Sequence, residues 1–154
     1  MKNKRKVSIV VLTCIILIGL VGYLTVKNPI ILINNQKLAN AIRSVDTQTV
    51  YLNNIVPFEW DKLYALKAYS SKEEIEDMIG FKSADIKENN INESMVHLLF
   101  VKGSKVVASV LGYDSNLGYT MNFADKDGRQ ITFEENPLFE VTSAEDIVRL
   151  TYTK

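Results

Sequence analysis

Hydrophobic and polar positions along this chain follow three different rhythms. From Val7 to Val26 twenty residues pass without a charge, a run that would measure about 30 Å as a helix, the thickness of a bilayer's hydrocarbon core. From Ile31 the apolar positions become helical, with Leu38, Ile42 and Val45 following at spacings of seven, four and three. Asn28-Pro29 suits a helix start, so a helix is predicted over 30–44, though its apolar stretch Ile30–Ile33 could instead lie at a lipid surface. Beyond it the rhythm shortens towards that of strands. Val50–Val56 is β-branched and aromatic. Pro57 breaks it, and Phe58–Leu66 reads as a second strand with a bulge near Asp61, because Phe58, Trp60, Leu63 and Leu66 do not keep one parity.

A helix over 72–79 carries the clearest local signals. Ser70 with Glu73, or Ser71 with Glu74, forms a capping box. Ile75, Met78 and Ile79 give an apolar face, and Gly80 stands where a left-handed cap belongs. After the polar segment 82–94, Met95–Val101 and Lys105–Leu111 flank Lys102-Gly103-Ser104 as a hairpin. Tyr119–Phe123 and Arg129–Phe133 flank Asp125–Gly128, predicting a second hairpin through a tight turn. Phe139–Val141 is strand-like, and the alternation of Val148, Leu150 and Tyr152 favours a last strand over a short helix in 145–152. The expected fold is α+β: an N-terminal transmembrane helix, then a small antiparallel sheet, read as a meander, with one or two helices packed on one face.

The first 27 residues bear on location. Lys2, Lys4, Arg5 and Lys6 precede the apolar run and Lys27 follows it, so the positive-inside bias predicts a cytoplasmic N-terminus. A cleaved signal would have a shorter core and a small-x-small site; Leu17 stands two residues before Gly19, and Leu20 two before Gly22. A lipoprotein signal would use Cys14, but Val11-Leu12-Thr13 lacks the small residue expected beside it. Cys14 then reads as a small buried hydrophobe in the anchor. The predicted organisation is a basic cytoplasmic tail at 1–6, a single-pass anchor at 7–26, a juxtamembrane helix or linker at 28–45, and an extracytoplasmic domain at 46–154. The expected location is the cell membrane, with a lipid bilayer as partner through residues 7–26.

Charge and cysteine narrow the chemistry. Beyond residue 6, 14 Lys+Arg stand against 18 Asp+Glu, a net charge near −4, which disfavours nucleic acid as a partner. Cys14 is the sole cysteine, so the domain core is expected to hold without a disulfide. Frequent Lys, Asn and Ile give a bacterial composition. Asn92-Glu93-Ser94 has the form of a glycosylation acceptor, relevant only in a eukaryotic secretory pathway.

Catalytic inventories are thin. His97 is the single histidine, set in an apolar strand pattern, and reads as a strand residue rather than a catalytic base. One histidine and no available cysteine exclude a structural zinc site. Asp125, Asp127, Gly128 and Glu134 fall at places three, five, six and twelve of a calcium loop, but Phe123 occupies the first place, so a β-turn is the better reading. Glu134-Glu135 and Glu145-Asp146 could be glycosidase-like acids, but each pair is adjacent in sequence and expected to be solvated. There is no Gly-rich phosphate loop. No catalytic, cofactor-binding or metal residue is assigned, and no cofactor is expected.

Aromatics are the remaining lead: Phe58, Trp60, Tyr64, Tyr69 and Phe81 cluster in sequence. Volume alone sends most of them to the core, while Trp60, Tyr64 and Tyr69 could form an exposed recognition patch. Here Phe58-Glu-Trp60-Asp61-Lys-Leu-Tyr64, Tyr69-Ser-Ser71-Lys-Glu73-Glu74-Ile75 and Gly80 resemble a motif of small, uncharacterised exported or membrane-anchored proteins of Gram-positive bacteria. The specific likeness covers about a quarter of the chain; Leu98–Lys102 and Val106–Val110 are similar in pattern only. The resemblance implies an envelope location and an α+β domain, and carries no activity. The expected function is a non-enzymatic protein-binding module: an inhibitor, an immunity-type factor or an accessory subunit of an envelope complex. The alternatives are an envelope enzyme using carboxylates, with Asp61 and a nearby acid, or an anchored ligand sensor.

Overall fold

The strand Met95–Lys102 organises the structure, because all six residues from Val96 to Val101 are buried. A strand with no solvent-facing side must be covered on both faces. In the computed structural model, which describes residues 13–15, 28–88, 91–123 and 128–152, it lies inside a four-stranded antiparallel sheet. The other strands of that sheet are Lys62–Ala65, Lys105–Tyr113 and Arg129–Thr132. A second four-stranded sheet holds Thr49–Tyr51, Tyr119–Asn122, Leu138–Ala144 and Ile147–Tyr152. In chain order the strands are β1 (49–51), β2 (62–65), β3 (95–102), β4 (105–113), β5 (119–122), β6 (129–132), β7 (138–144) and β8 (147–152). The first sheet runs β4-β3-β2-β6 and the second β1-β7-β8-β5.

Leu63, Leu98, Phe100, Ala108, Val110 and Ile131 of the first sheet share one core with Tyr119, Met121, Phe139, Val148 and Leu150 of the second. On the other face of the first sheet, Tyr64, Leu99, Val101 and Val106 pack with Ile75 and Ile86. Ile75 belongs to a helix over Lys72–Ile79, whose capping box and left-handed Gly80 (φ +83°) stand where the sequence predicts them. The β3–β4 hairpin also forms, Lys102 opposite Lys105 with Gly103 at φ +56°, and a bulge shifts the register between Phe100 and Val101.

The helix Pro29–Arg43 is α1, close to the predicted 30–44. Leu38 and Ile42 are fully buried in the shared core, so this helix is built into the domain. It also covers the edge strand β4. Asn34 Nδ2 donates to Val107 O at 2.9 Å, Asn35 Nδ2 donates to Ser109 O at 2.7 Å, and Ser109 N–H donates back to Asn35 Oδ1 at 3.0 Å. Side-chain amides thus satisfy backbone groups that an open edge would present to other chains. The remaining helices are α2 (Leu52–Ile55), α3 (Lys72–Ile79) and α4 (Asp114–Leu117).

Several expectations need correction. Among the described residues no helix is long and apolar enough to cross a membrane. The longest of them is α1, with 15 residues, about 22 Å, and its second half carries Asn, Gln, Lys and Arg. Of Val7–Val26 only Thr13–Ile15 are described, helical and with Cys14 exposed; the rest of that run lies outside the described residues. The transmembrane helix and the single-pass description are therefore withdrawn. The single antiparallel meander is replaced by two packed sheets, one of which contains a parallel pair, β5 with β8. The predicted hairpin between 119–123 and 129–133 does not form: β5 pairs β8 in the second sheet, while β6 pairs β2 in the first. Val50–Val56 divides into β1 and α2, because Leu52 and Ile55 are both buried at a helical spacing of three. Phe58–Asp61 are not strand, and β2 begins at Lys62.

Candidate functional site

The aromatic motif separates once folded. Trp60 is 4% exposed and lies edge-on to Phe100 and Phe133, with ring centroids 5.7 and 5.5 Å away. Tyr64, its neighbour on β2, is buried on the opposite face, where burial raises its phenol pKa. Neither belongs to a recognition patch; both fill core volume. Tyr69 points the other way, 67% exposed, with its backbone at φ +65°. A bulky residue in the left-handed region is strained and persists only where its surroundings fix it.

Two anchors fix it. Ahead of Tyr69, Leu66 N–H donates to His97 O at 2.9 Å, tying the chain to β3. Behind it, Glu74 N–H donates to Ser71 Oγ at 3.2 Å and Ser71 N–H donates to Glu74 Oε2 at 2.8 Å, closing the first turn of α3. Four residues connect these points, and Tyr69 takes the left-handed turn between them. Three residues later begins a shallow groove of about 390 Å³ lined by Lys72, Glu73, Glu76, Lys82, Ser83 and Ala84. Glu76 Oε1 accepts from Ser83 N–H at 3.0 Å, holding the segment after α3 against the helix. The groove is open and mixed in charge, unlike the enclosed, mostly apolar cavity that holds a small molecule.

The groups considered for catalysis have structural duties. His97 is 3% exposed; burial first, and then the positive charge of Lys87, lower its pKa to about 4. The imidazole is therefore neutral at pH 7, on the α3-covered side of β3 with Leu99 and Val101. Asp61 Oδ2 accepts from Gly103 N–H at 2.6 Å, while its backbone joins Val101 and Phe133 at 2.8 and 2.9 Å. Glu59 pairs with Lys102 on the same turn. Glu135 Oε1 accepts from Thr132 N–H at 3.0 Å. Glu145 and Asp146 form the turn between β7 and β8. Among the described residues no three His, Cys, Asp or Glu side chains come together to hold a metal ion. Asp125 and Asp127 of the calcium-like stretch lie outside the described residues.

A second cleft, about 210 Å³, opens where α1 starts, between Asn28, Ile30, Phe81, Lys82, Lys105 and Val106. Beside it Ile30, Leu32 and Ile33 are 61, 62 and 51% exposed. The separation of Tyr69 from Trp60 and Tyr64 is what sequence reasoning missed. The available signal was its position between a strand and a capping box, where a turn residue is expected. No protein family, curated protein or solved structure matches the chain.

Proposed function

We propose that this is a non-enzymatic protein-binding module, an inhibitor, immunity-type or accessory factor of an envelope complex, which engages its partner through Tyr69 and the groove beside α3. The observation that carries the reading is the outward presentation of Tyr69 on a strained backbone held between β2 and the α3 cap. Tyrosine supplies a large amphipathic contact with few rotatable bonds, the profile of an interface anchor. Strain kept at an exposed position has no packing benefit to offset it. The uncharged run of residues 7–26 and the cations ahead of it support a lipid surface as a second partner and an envelope location.

The test is site-specific photocross-linking in the producing cells with p-benzoylphenylalanine in place of Tyr69. One discrete adduct is expected, competed by excess wild-type protein and not by a Tyr69→Gly variant. Glycine relieves the left-handed strain while freeing the unfolded chain, so that variant should be at least as stable as the wild type, which separates lost binding from lost folding. An adduct pattern no different from that of the same cross-linker at Thr151 would overturn the proposal.

A further inference from the structure

We propose that the first turns of α1 rest on an anionic lipid surface, with Ile30, Leu32 and Ile33 in the headgroup boundary and Lys37, Lys82 and Lys105 against the phosphates. This rests on the reading of residues 7–26 as lipid-contacting and extends it to a defined face of the folded domain. Pro29 starts the helix, and Ile31, Asn34, Leu38 and Ile42 turn inward. That leaves Ile30, Leu32 and Ile33 as three large apolar side chains, all more than half exposed within four positions. Ile30 and Ile33, three apart, share one side of the helix, and Leu32 lies on the far flank of Ile33; large apolar side chains left exposed over one turn mark an interaction surface.

Charge complementarity selects the occupant. Ile30, Ile33 and Lys37 follow at spacings of three and four, so the cation continues the apolar face one turn on. Lys82 and Lys105 are exposed and line the same cleft as Ile30. The acid in that cleft, Asp85, accepts a hydrogen bond from Asn28 Nδ2 at 3.2 Å. Apolar residues with flanking lysines make the composition of an interfacial helix, in which the long stems let the ammonium groups reach the phosphates. Distance agrees. Val26, the end of the uncharged run, is four residues from Ile30, so the two lie within about 14 Å at full extension.

The experiment uses the full chain carrying Cys14→Ser and Leu32→Cys, labelled with a nitrobenzoxadiazole fluorophore and reconstituted with phosphatidylcholine vesicles, with or without phosphatidylglycerol. A Thr151→Cys label, on the open face of the second sheet, is the control. The Leu32 label is expected to be quenched several-fold less by iodide than the control and to be quenched by a headgroup nitroxide lipid. Phosphatidylglycerol should strengthen both effects, and a Lys82→Glu/Lys105→Glu variant should lose that gain. If the chain floats with the vesicles while iodide quenches both labels equally, the surface contact is overturned and the reading of residues 7–26 stands. If the chain does not float, both fall. If phosphatidylglycerol and the lysine variant make no difference, the anionic selection is overturned.

Discussion

The two sheets are built from strands of similar length under different burial regimes, and the contrast explains their sequences. In the first sheet the central strand β3 is buried on both faces, and its sequence, Met-Val-His-Leu-Leu-Phe-Val, is almost continuously apolar. In the second sheet β8 alternates: Val148 and Leu150 are buried while Thr151 between Leu150 and Tyr152 is exposed. The outer side of β7 likewise carries exposed Glu140 and Thr142. One sheet is a middle layer, packed between the second sheet and α3. The other is an outer layer with one wet face. Every residue of β3 from Val96 to Val101 is thus a packing residue, whereas only every second residue of β8 is.

The largest expected effect separates these regimes directly. Leu99 is fully buried on the α3-covered face of the first sheet, so Leu99→Ala should cost about 2–5 kcal/mol through lost burial and the cavity left behind. Thr151→Ala, on the open face of the second sheet, should cost less than about 1 kcal/mol. Urea unfolding of both variants measures the difference. Equal losses would mean that the second sheet is covered by something beyond the described residues.

Acid should find the same asymmetry. His97, the sole histidine of the chain, sits in the middle layer with its pKa lowered to about 4 by burial and by Lys87. In the unfolded chain its pKa is near 6.5, so between those values the unfolded state binds the proton and the folded state does not. The stability due to neutral His97 is therefore full above pH 6.5 and is lost as pH falls towards 4. The loss between pH 7 and 4.5 is roughly 2–3 kcal/mol, from two pH units below 6.5 at about 1.4 kcal/mol per unit. His97→Leu should flatten that limb, whatever it does to stability at pH 7. An unchanged acid slope would place the acid sensitivity elsewhere.

Sequence reading succeeded where the determinants are local and failed where they are not. The α3 cap needs only Ser71, Glu74 and Gly80, ten residues of chain in all, and the β3–β4 hairpin needs only a two-residue turn between apolar runs. By contrast, the apolar pattern of Tyr119–Met121 and of Ile131 says that each faces a core, not which sheet it joins. The parallel pairing of β5 with β8 depends on everything between residues 122 and 147. The α2 misreading was avoidable, since Leu52, Ile55 and Val56 already keep a helical spacing. For Trp60, flanked by Glu59 and Asp61, the sequence leaves an exposed patch open beside the core placement, because its neighbours are charged. Those charges serve the β3–β4 turn, through Lys102 and the Gly103 amide, while the indole turns inward. The candidate site was legible only as a set of aromatics, because which of them points outward is decided by β2's two-sided burial.

The smallest expected effect asks whether the two sheets unfold together. Ala144 pairs with Ile147, so β7 and β8 are joined by two residues, Glu145 and Asp146, at φ +54° and +62°. Two positive φ values in a two-residue loop define the turn that favours Asn-Gly, and neither Glu nor Asp is the preferred occupant. Asp146→Gly relieves left-handed strain in the folded state but frees the unfolded chain, so the net gain should be about 0.5 kcal/mol. If the shared core of Phe100, Phe139 and Leu150 makes the sheets one cooperative unit, amide exchange should slow by the same factor in β3 and in β8. Slowing confined to β7 and β8 would show that the outer layer opens by itself while the middle layer, held from both sides, stays closed.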